Sequence, residues 1–415
     1  MASGYKSVKW TRRSAIIGLA GLVAACSGGS FQLGSRTLTL PWGEGGNDSG
    51  KDSTAPPAGG MAPIGGAERF GRGPVNVALL LPLSGEPALA QLGRALANAS
   101  KLAIQFIEAN PNIAENITIS LRDSGTGSAG AVNAANAALA DGARLILGPV
   151  TAEQVSAAGN VARTRNVPLI GFANNGSVAG QGIYVLNVLP DTEMKRALTY
   201  LREQGRRGPA GVFPATPYGE ALATAFRQQA VAVGFSPSAV YTFSDPSEAQ
   251  QIVTQAKPLI ERGMIDALFI PDRTTAGSFA GLLRQSGVSA EDVVLVGSAD
   301  WANDPGLATN PALQGTIFPA VDEAGLNAIA GDYQAKFGSR PPQMATIAYT
   351  ATILANVNTL SMANPPYNPA LLSNPSGFSG RDGLFRFNSN GRSDYALVIR
   401  KIGTGATIMV DGPKL

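Results

Sequence analysis

From residue 75 onward the chain alternates short apolar runs with longer amphipathic stretches. Residues 75–83 (VNVALLLPL), 117–122 (ITISLR), 144–150 (RLILGPV) and 168–173 (PLIGFA) have the length and continuous apolar character of strands buried on both faces. Between them, residues 89–109, 130–140 and 152–164 are rich in Ala and end at Gly, Pro or Asn, which predicts helices. The alternation then restarts. Strands are expected at 211–213, 239–243, 267–271 and 293–297, with helices at 220–233, 247–262 and 276–286. Strands alternating with helices of this length indicate βαβ units and doubly wound parallel sheets. Two such sets predict an α/β protein of two similar Rossmann-like lobes, with the change of lobe between residues 183 and 190. Residues 345–360 read as one long apolar helix, and 383–387 with 395–402 as a final hairpin-like pair, late elements able to return to the first lobe.

The expected organisation is therefore a first lobe over about 74–187 plus late return segments, a second lobe over about 188–340, and a tail at 404–415. Residues 27–73 differ in texture. They carry Gly-Gly, Pro-Pro and Asn-Asp-Ser-Gly clusters with no sustained apolar period, and such a segment cannot bury enough apolar surface to offset its ordering entropy. The expectation there is a flexible tether.

Composition narrows the chemistry. The 415 residues include no His and one Cys, so there is no imidazole base, no Ser-His-Asp or Cys-His pair, no His-built metal site and no intrachain disulfide. No GxxxxGK[ST], GxSxG or HExxH pattern occurs. A non-catalytic protein without metal or cofactor is expected. The net charge of +3, with no basic block after the first 15 residues, excludes a nucleic-acid footprint.

The N-terminus is an address. Lys6, Lys9, Arg12 and Arg13 precede an uncharged run over residues 15–25, too short to cross a ~30 Å hydrocarbon core but suited to a secretory signal. Val23-Ala24-Ala25-Cys26 resembles a bacterial lipobox, which makes Cys26 the lipidation site and residues 1–26 a signal peptide. Thr11-Arg12-Arg13-Ser14 resembles the start of a twin-arginine signal, leaving both export routes open. Ser27, where an Asp would favour inner-membrane retention, implies the periplasmic face of the outer membrane in a Gram-negative source.

Four blocks of the body carry a family resemblance: 77–85 (VALLLPLSG), 141–151 (DGARLILGPVT), 166–173 (NVPLIGFA) and Tyr218-Gly219-Glu220. In this order and spacing, over residues 75–402, they resemble type I periplasmic binding proteins of the leucine/isoleucine/valine-binding class. The resemblance implies a ligand cleft between the lobes, at the carboxyl ends of the strands where helix N-termini suit an anionic group. Ser84 follows the first strand. Thr151 falls on a position that binds the ligand's α-carboxylate in the family, and it is equally suited to cap a helix. Ala173, Asn174 and Asn175 occupy the stretch that binds the amino acid's backbone groups; the two Asn residues depart from the family's pattern and present amides or form a turn. Tyr218 matches an aromatic that closes the cleft or packs at a helix start. Asp300 is the acidic candidate for a ligand ammonium, or a turn residue, with Trp301 beside it as pocket wall; Asp272 and Glu323 are rivals.

Two functional readings follow. The first is solute capture, an amino-acid-like ligand held for a membrane permease. The second, by resemblance to lipoproteins of the penicillin-binding protein activator type, is control of peptidoglycan synthesis through contact with a penicillin-binding protein.

Overall fold

The computed structural model describes residues 67–236 and 239–415, together with the backbone of two short N-terminal strands. Those strands, β1 (Ser30–Leu33) and β2 (Arg36–Thr39), pair antiparallel. Cys26, the rest of the signal and most of the tether lie outside the described residues.

Lobe 1 is a six-stranded sheet of order β3-β5-β4-β6-β7-β8, with β3 (Glu68–Phe70), β4 (Val75–Leu81), β5 (Ile117–Asp123), β6 (Leu145–Leu147), β7 (Leu169–Gly171) and β8 (Ile183–Val185). All pairs are parallel except that of β3 with β5. Helices α1 (Pro87–Ala109), α2 (Ser128–Ala140) and α3 (Ala152–Thr164) connect the strands. Alternate side chains of β4 feed different layers: Val77, Leu79 and Leu81 meet α1, while Ala78 and Leu80 meet the Ala-lined faces of α2 and α3. The small Ala side chains let α2 and α3 lie close against the sheet.

Lobe 2 begins with α4 (Pro190–Glu203), followed by β9 (Pro209–Pro214), α5 (Pro217–Val233), β10 (Val240–Phe243), α6 (Ala249–Glu261), β11 (Ala267–Phe269), α7 (Arg273–Gln285), β12 (Val294–Val296) and β13 (Ile317–Ala320). Its parallel strands run in the order β10-β9-β11-β12-β13. One layer holds Phe213, Phe226 and Phe269 under α4 and α5. The other holds Phe243, Phe279 and Trp301 under α6 and α7.

The chain then returns. Helix α8 (Ala324–Phe337) and helix α9 (Ala345–Asn356) pack on lobe 1, where Ile329, Tyr333 and Ala348 join its core. A three-stranded sheet follows, β14 (Phe378–Gly380), β15 (Gly383–Phe387) and β16 (Ser393–Tyr395). Strands β17 (Leu397–Ile402) and β18 (Thr407–Lys414) then complete the lobe 2 sheet, β17 antiparallel to β13 and β18 antiparallel to β17. The lobes are thus joined at three places, near residues 186–189, 321–323 and 396. Hydrogen bonds tie these crossings: Ser393 Oγ donates to Asn187 O at 2.7 Å, and Thr192 Oγ1 to Ser393 O at 3.3 Å.

Four expectations need correction. The body starts at β3, ahead of residue 74, because β3 has a free edge of β5 to pair with. Lobe 2 ends its first span before α8, since α8 buries Ile329 and Tyr333 in lobe 1. Residues 395–402 are not one strand: β16 pairs with β15, and β17 crosses to β13. The segment 404–415 is no tail, because β18 pairs along β17.

Candidate functional site

The polar residues singled out by sequence sit in the loops that follow parallel strands. In lobe 1, the Asp123 carboxylate at the end of β5 draws the neighbouring loops together. Its Oδ1 accepts Leu83 N and Gly125 N, each at 2.8 Å. Burial would raise the Asp123 pKa, but the Ser84 hydroxyl and the backbone amides of Leu83, Gly125 and Ser84 outweigh it, and the carboxyl lies below its ordinary value. Ser84 is exposed and bound to this carboxylate rather than free.

The next loop is tied in by Gln154, fully buried on α3, whose Nε2 donates to Gly125 O at 2.8 Å and Ser124 O at 3.1 Å. Thr151 is half-buried at the N-cap of α3, where its Oγ1 accepts Gln154 N at 3.3 Å. Both of its suggested roles remain compatible. Accepting the amide leaves the hydroxyl hydrogen to donate outward, at the positive end of the helix. After β7, Ala173 is buried, Asn174 is half-buried and Asn175 is exposed. The Asn175 side chain accepts Ser177 N at 2.9 Å, so the second Asn forms the turn.

In lobe 2, Tyr218 stands in the first turn of α5 and is half-buried against the Phe213 and Phe226 layer. The glycine beside it has a packing cause: a Cβ on Gly219 would lie 1.9 Å from Pro214 O, so only Gly lets α5 start this close to β9. Asp300 is half-buried and accepts the Ser298 hydroxyl. Ser298 Oγ also lies 2.8 Å from Pro271 O.

Trp301 corrects the expectation that it walls a pocket. It is 2% exposed, packs against Phe318 in the lobe 2 core, and donates from Nε1 to Pro271 O at 2.9 Å. A Cβ on Gly297 would strike its ring at 2.4 Å. The rivals are also committed elsewhere, Asp272 as N-cap of α7 and Glu323 in an ion pair with Arg400 at 2.9 Å.

The structure thus brings Ser84, Thr151 and the Asn174 loop onto one rim of lobe 1, and Tyr218 and Asp300 onto strand ends of lobe 2. Sequence reading missed Asp123 and Gln154, which hold the lobe 1 rim in shape. The Asp-Ser-Gly turn after β5 was the available signal for the first; nothing in the pattern marked the second. Among the described residues no group of acidic residues is placed to hold a metal ion, and no helix is long and apolar enough to cross a membrane.

A family model for periplasmic binding proteins matches residues 74–396. No curated protein matches. Solved structures show the same fold at low identity. An ABC transporter substrate-binding protein from Desulfitobacterium hafniense is 17% identical, with a TM-score of 0.62, covering 81% of this chain and 99% of its own. A leucine-, isoleucine-, valine-, threonine- and alanine-binding protein from Brucella ovis, in a closed conformation, is 16% identical, with a TM-score of 0.59 and coverage of 83% and 95%. A solute-binding protein of an ABC transporter from Rhodopseudomonas palustris, in complex with 3,4-dihydroxybenzoic acid, is 19% identical, with a TM-score of 0.55 and coverage of 82% and 98%.

Proposed function

Because this chain belongs to the type I periplasmic binding protein family, we propose that it captures a small carboxylate ligand of amino-acid type between its lobes and delivers it to a membrane permease. It carries out no reaction. The observation that supports this most is Thr151, half-buried at a helix N-terminus with its oxygen engaged by Gln154 N and its hydrogen left to donate. A ligand carboxylate meets both the hydroxyl and the partial positive charge of α3 there. Asn174 lines the same rim. Asp300, with one oxygen engaged by Ser298, offers the other to a ligand ammonium. The two named relatives that state their ligands bind amino acids in one case and an aromatic acid in the other. A carboxylate is common to both, and Asp300 favours the amino acid.

The protein reaches the cell envelope through its signal and is held at the periplasmic face by lipid on Cys26, in the outer membrane if the source is Gram-negative. Cys26→Ser should move the mature protein from the membrane fraction to the soluble one; unchanged partitioning would count against the anchor. For the binding reading, calorimetry on ligand-free protein with leucine, other amino acids, small amides and benzoate should give saturable 1:1 heat with at least one. Ligand at about 100 times its Kd should also raise stability by about 2.7 kcal/mol. No heat and no thermal shift with any of them would overturn it.

A second reading draws on the anchor, the tether and the departure at Asn174 and Asn175: contact with a penicillin-binding protein that synthesises peptidoglycan. Recovery of such a synthase in a pull-down, with loss of the gene sensitising cells to β-lactams, is the outcome that would favour it.

A further inference from the structure

On the outer side of lobe 1, away from the strand-end loops, helices α1, α8 and α9 leave an open groove of about 640 Å³. Its floor is apolar, from Leu102, Phe106, Ala109, Ala328 and Ile329, and Phe106 is 44% exposed there. Its rim is charged, with Asp332, Lys336 and Arg381. The Arg381 guanidinium stacks 4.7 Å from the Tyr349 ring centroid and donates to the Tyr349 hydroxyl at 3.1 Å, which fixes one wall.

The chain preceding the body enters beside this groove. Lys101 of α1 pairs with Glu68 of β3 at 2.6 Å and sits over the Phe70 ring. Lys101 and Gln105 are one turn apart on the same stripe of α1, and Gln105 lines the groove. The entry point is therefore about 7.5 Å along the helix from Phe106.

Most of residues 27–66 is polar, Gly or Pro, but Phe31, Leu33, Leu38, Leu40 and Trp42 gather within 12 residues, with Arg36 among them and Glu44 two residues beyond. The same stretch contains the β1–β2 pair, and the β1 backbone lies against α1. Two strands of four residues are at best marginally stable alone in water and need an apolar surface to pack on. A chain of 25 residues, the separation of Trp42 from Ala67, can reach up to about 80–90 Å, more than this distance requires. Covalent linkage then raises the local concentration of the segment to the millimolar range.

We infer that residues 31–42 fold back and occupy the α1–α8–α9 groove, with Arg36 and Glu44 facing the oppositely charged rim. The docking depends only on residues 27–415. Its consequence rests on the anchor reading: with lipid on Cys26, an undocked tether extends to about 135 Å at most, whereas a docked one leaves about five residues, some 17 Å. The groove would then choose between a short leash, holding the body at the membrane, and a long one.

Hydrogen exchange on the anchorless protein carrying Cys26→Ser tests this without lipid. Amides of residues 31–42 should exchange at least tenfold more slowly than an unstructured chain, and Phe106→Glu should return them to free-chain rates while the lobe cores keep their protection. Deleting residues 31–42 should speed exchange of the α1 amides beside the groove, a second check independent of the Phe106 variant. Free-chain exchange of 31–42 in the parent protein, or protection that survives Phe106→Glu, would overturn the inference. So would protection that grows with protein concentration, because a second copy would then be the occupant. Loss of docking leaves the Cys26→Ser fractionation result untouched, so the two ideas fail separately.

Discussion

Lobe 1 and lobe 2 are both mainly parallel sheets wrapped by helices, and they use the residues just after their strands in different ways. In lobe 1 those positions hold Ser84, Thr151 and Asn174, exposed or half-buried, over a scaffold of Asp123 and Gln154 that satisfies the loop backbone. In lobe 2 the corresponding turns hold Tyr218, packed on Phe213 and Phe226, and Trp301, sunk beneath Phe318. Beside Trp301, Asp300 keeps a polar group half-open. The difference teaches that position after a strand is not enough to assign a ligand role. What separates the two uses is size and apolar area: an aromatic next to a strand end gains more by turning into the core than by waiting at a rim.

Trp301→Ala should break this distinction most visibly. The comparison makes it a structural substitution, costing about 3–5 kcal/mol, toward the upper end because the Nε1 bond to Pro271 O is lost with the ring. Urea unfolding should show the loss; near-normal stability with abolished ligand binding would return Trp301 to the pocket.

The next effect belongs to lobe 1's return segment. Asp382 is buried, and Thr346 Oγ1 lies 2.9 Å from Asp382 Oδ2 and 2.6 Å from Gln343 O. One hydroxyl hydrogen cannot serve both acceptors, so the pair is satisfied when Asp382 carries its own proton. Burial pushes its pKa up to about 7, against the lowering effect of the Thr346 and Gln343 hydrogen bonds. The folded value lies above the unfolded 3.8, so the folded state binds more protons between these limits. The contribution is fully present below about pH 4 and is lost as pH rises through about 7. The shift corresponds to roughly 4 kcal/mol. Asp382→Asn should flatten this part of the stability profile, read as unfolding free energies at pH 5 and pH 8. An unchanged slope would contradict a protonated Asp382.

Thr151→Ala should cost about 1 kcal/mol as a lost N-cap. If Thr151 also holds a carboxylate, ligand affinity falls by a further tenfold or more, beyond what stability explains. Calorimetry alongside unfolding separates the two roles. Ser84→Ala should have the smallest effect, about 0.5 kcal/mol because Ser84 is exposed, with the Asp123 pKa moving upward as its hydroxyl donor is removed. An NMR titration of Asp123 that does not move would show that the backbone amides alone hold its value.

Much of the fold was legible because buried parallel strands and Ala-rich helices leave strong periodic signals. The helix at Ala152–Thr164 coincides with its expected bounds, and the change of lobe falls between β8 and α4, within the expected window. Pairing was less legible. Strand β18 follows two glycines and carries exposed Ile408 and Met409, so neither burial nor alternation marked it. Residues 395–402 split between two sheets because partner choice is decided by distant edges, β15 and β13, which local sequence does not contain. At the rim, Thr151 was readable from its helix-start position, while Trp301 was not, since an aromatic beside a turn has the same local signature facing in or out.

Native mass spectrometry of the protein extracted from the cell envelope tests the solute-capture claim most directly. The account predicts one retained small carboxylate per chain, lost on Thr151→Ala. A bare protein mass under gentle conditions, together with a co-purifying peptidoglycan synthase, would contradict it.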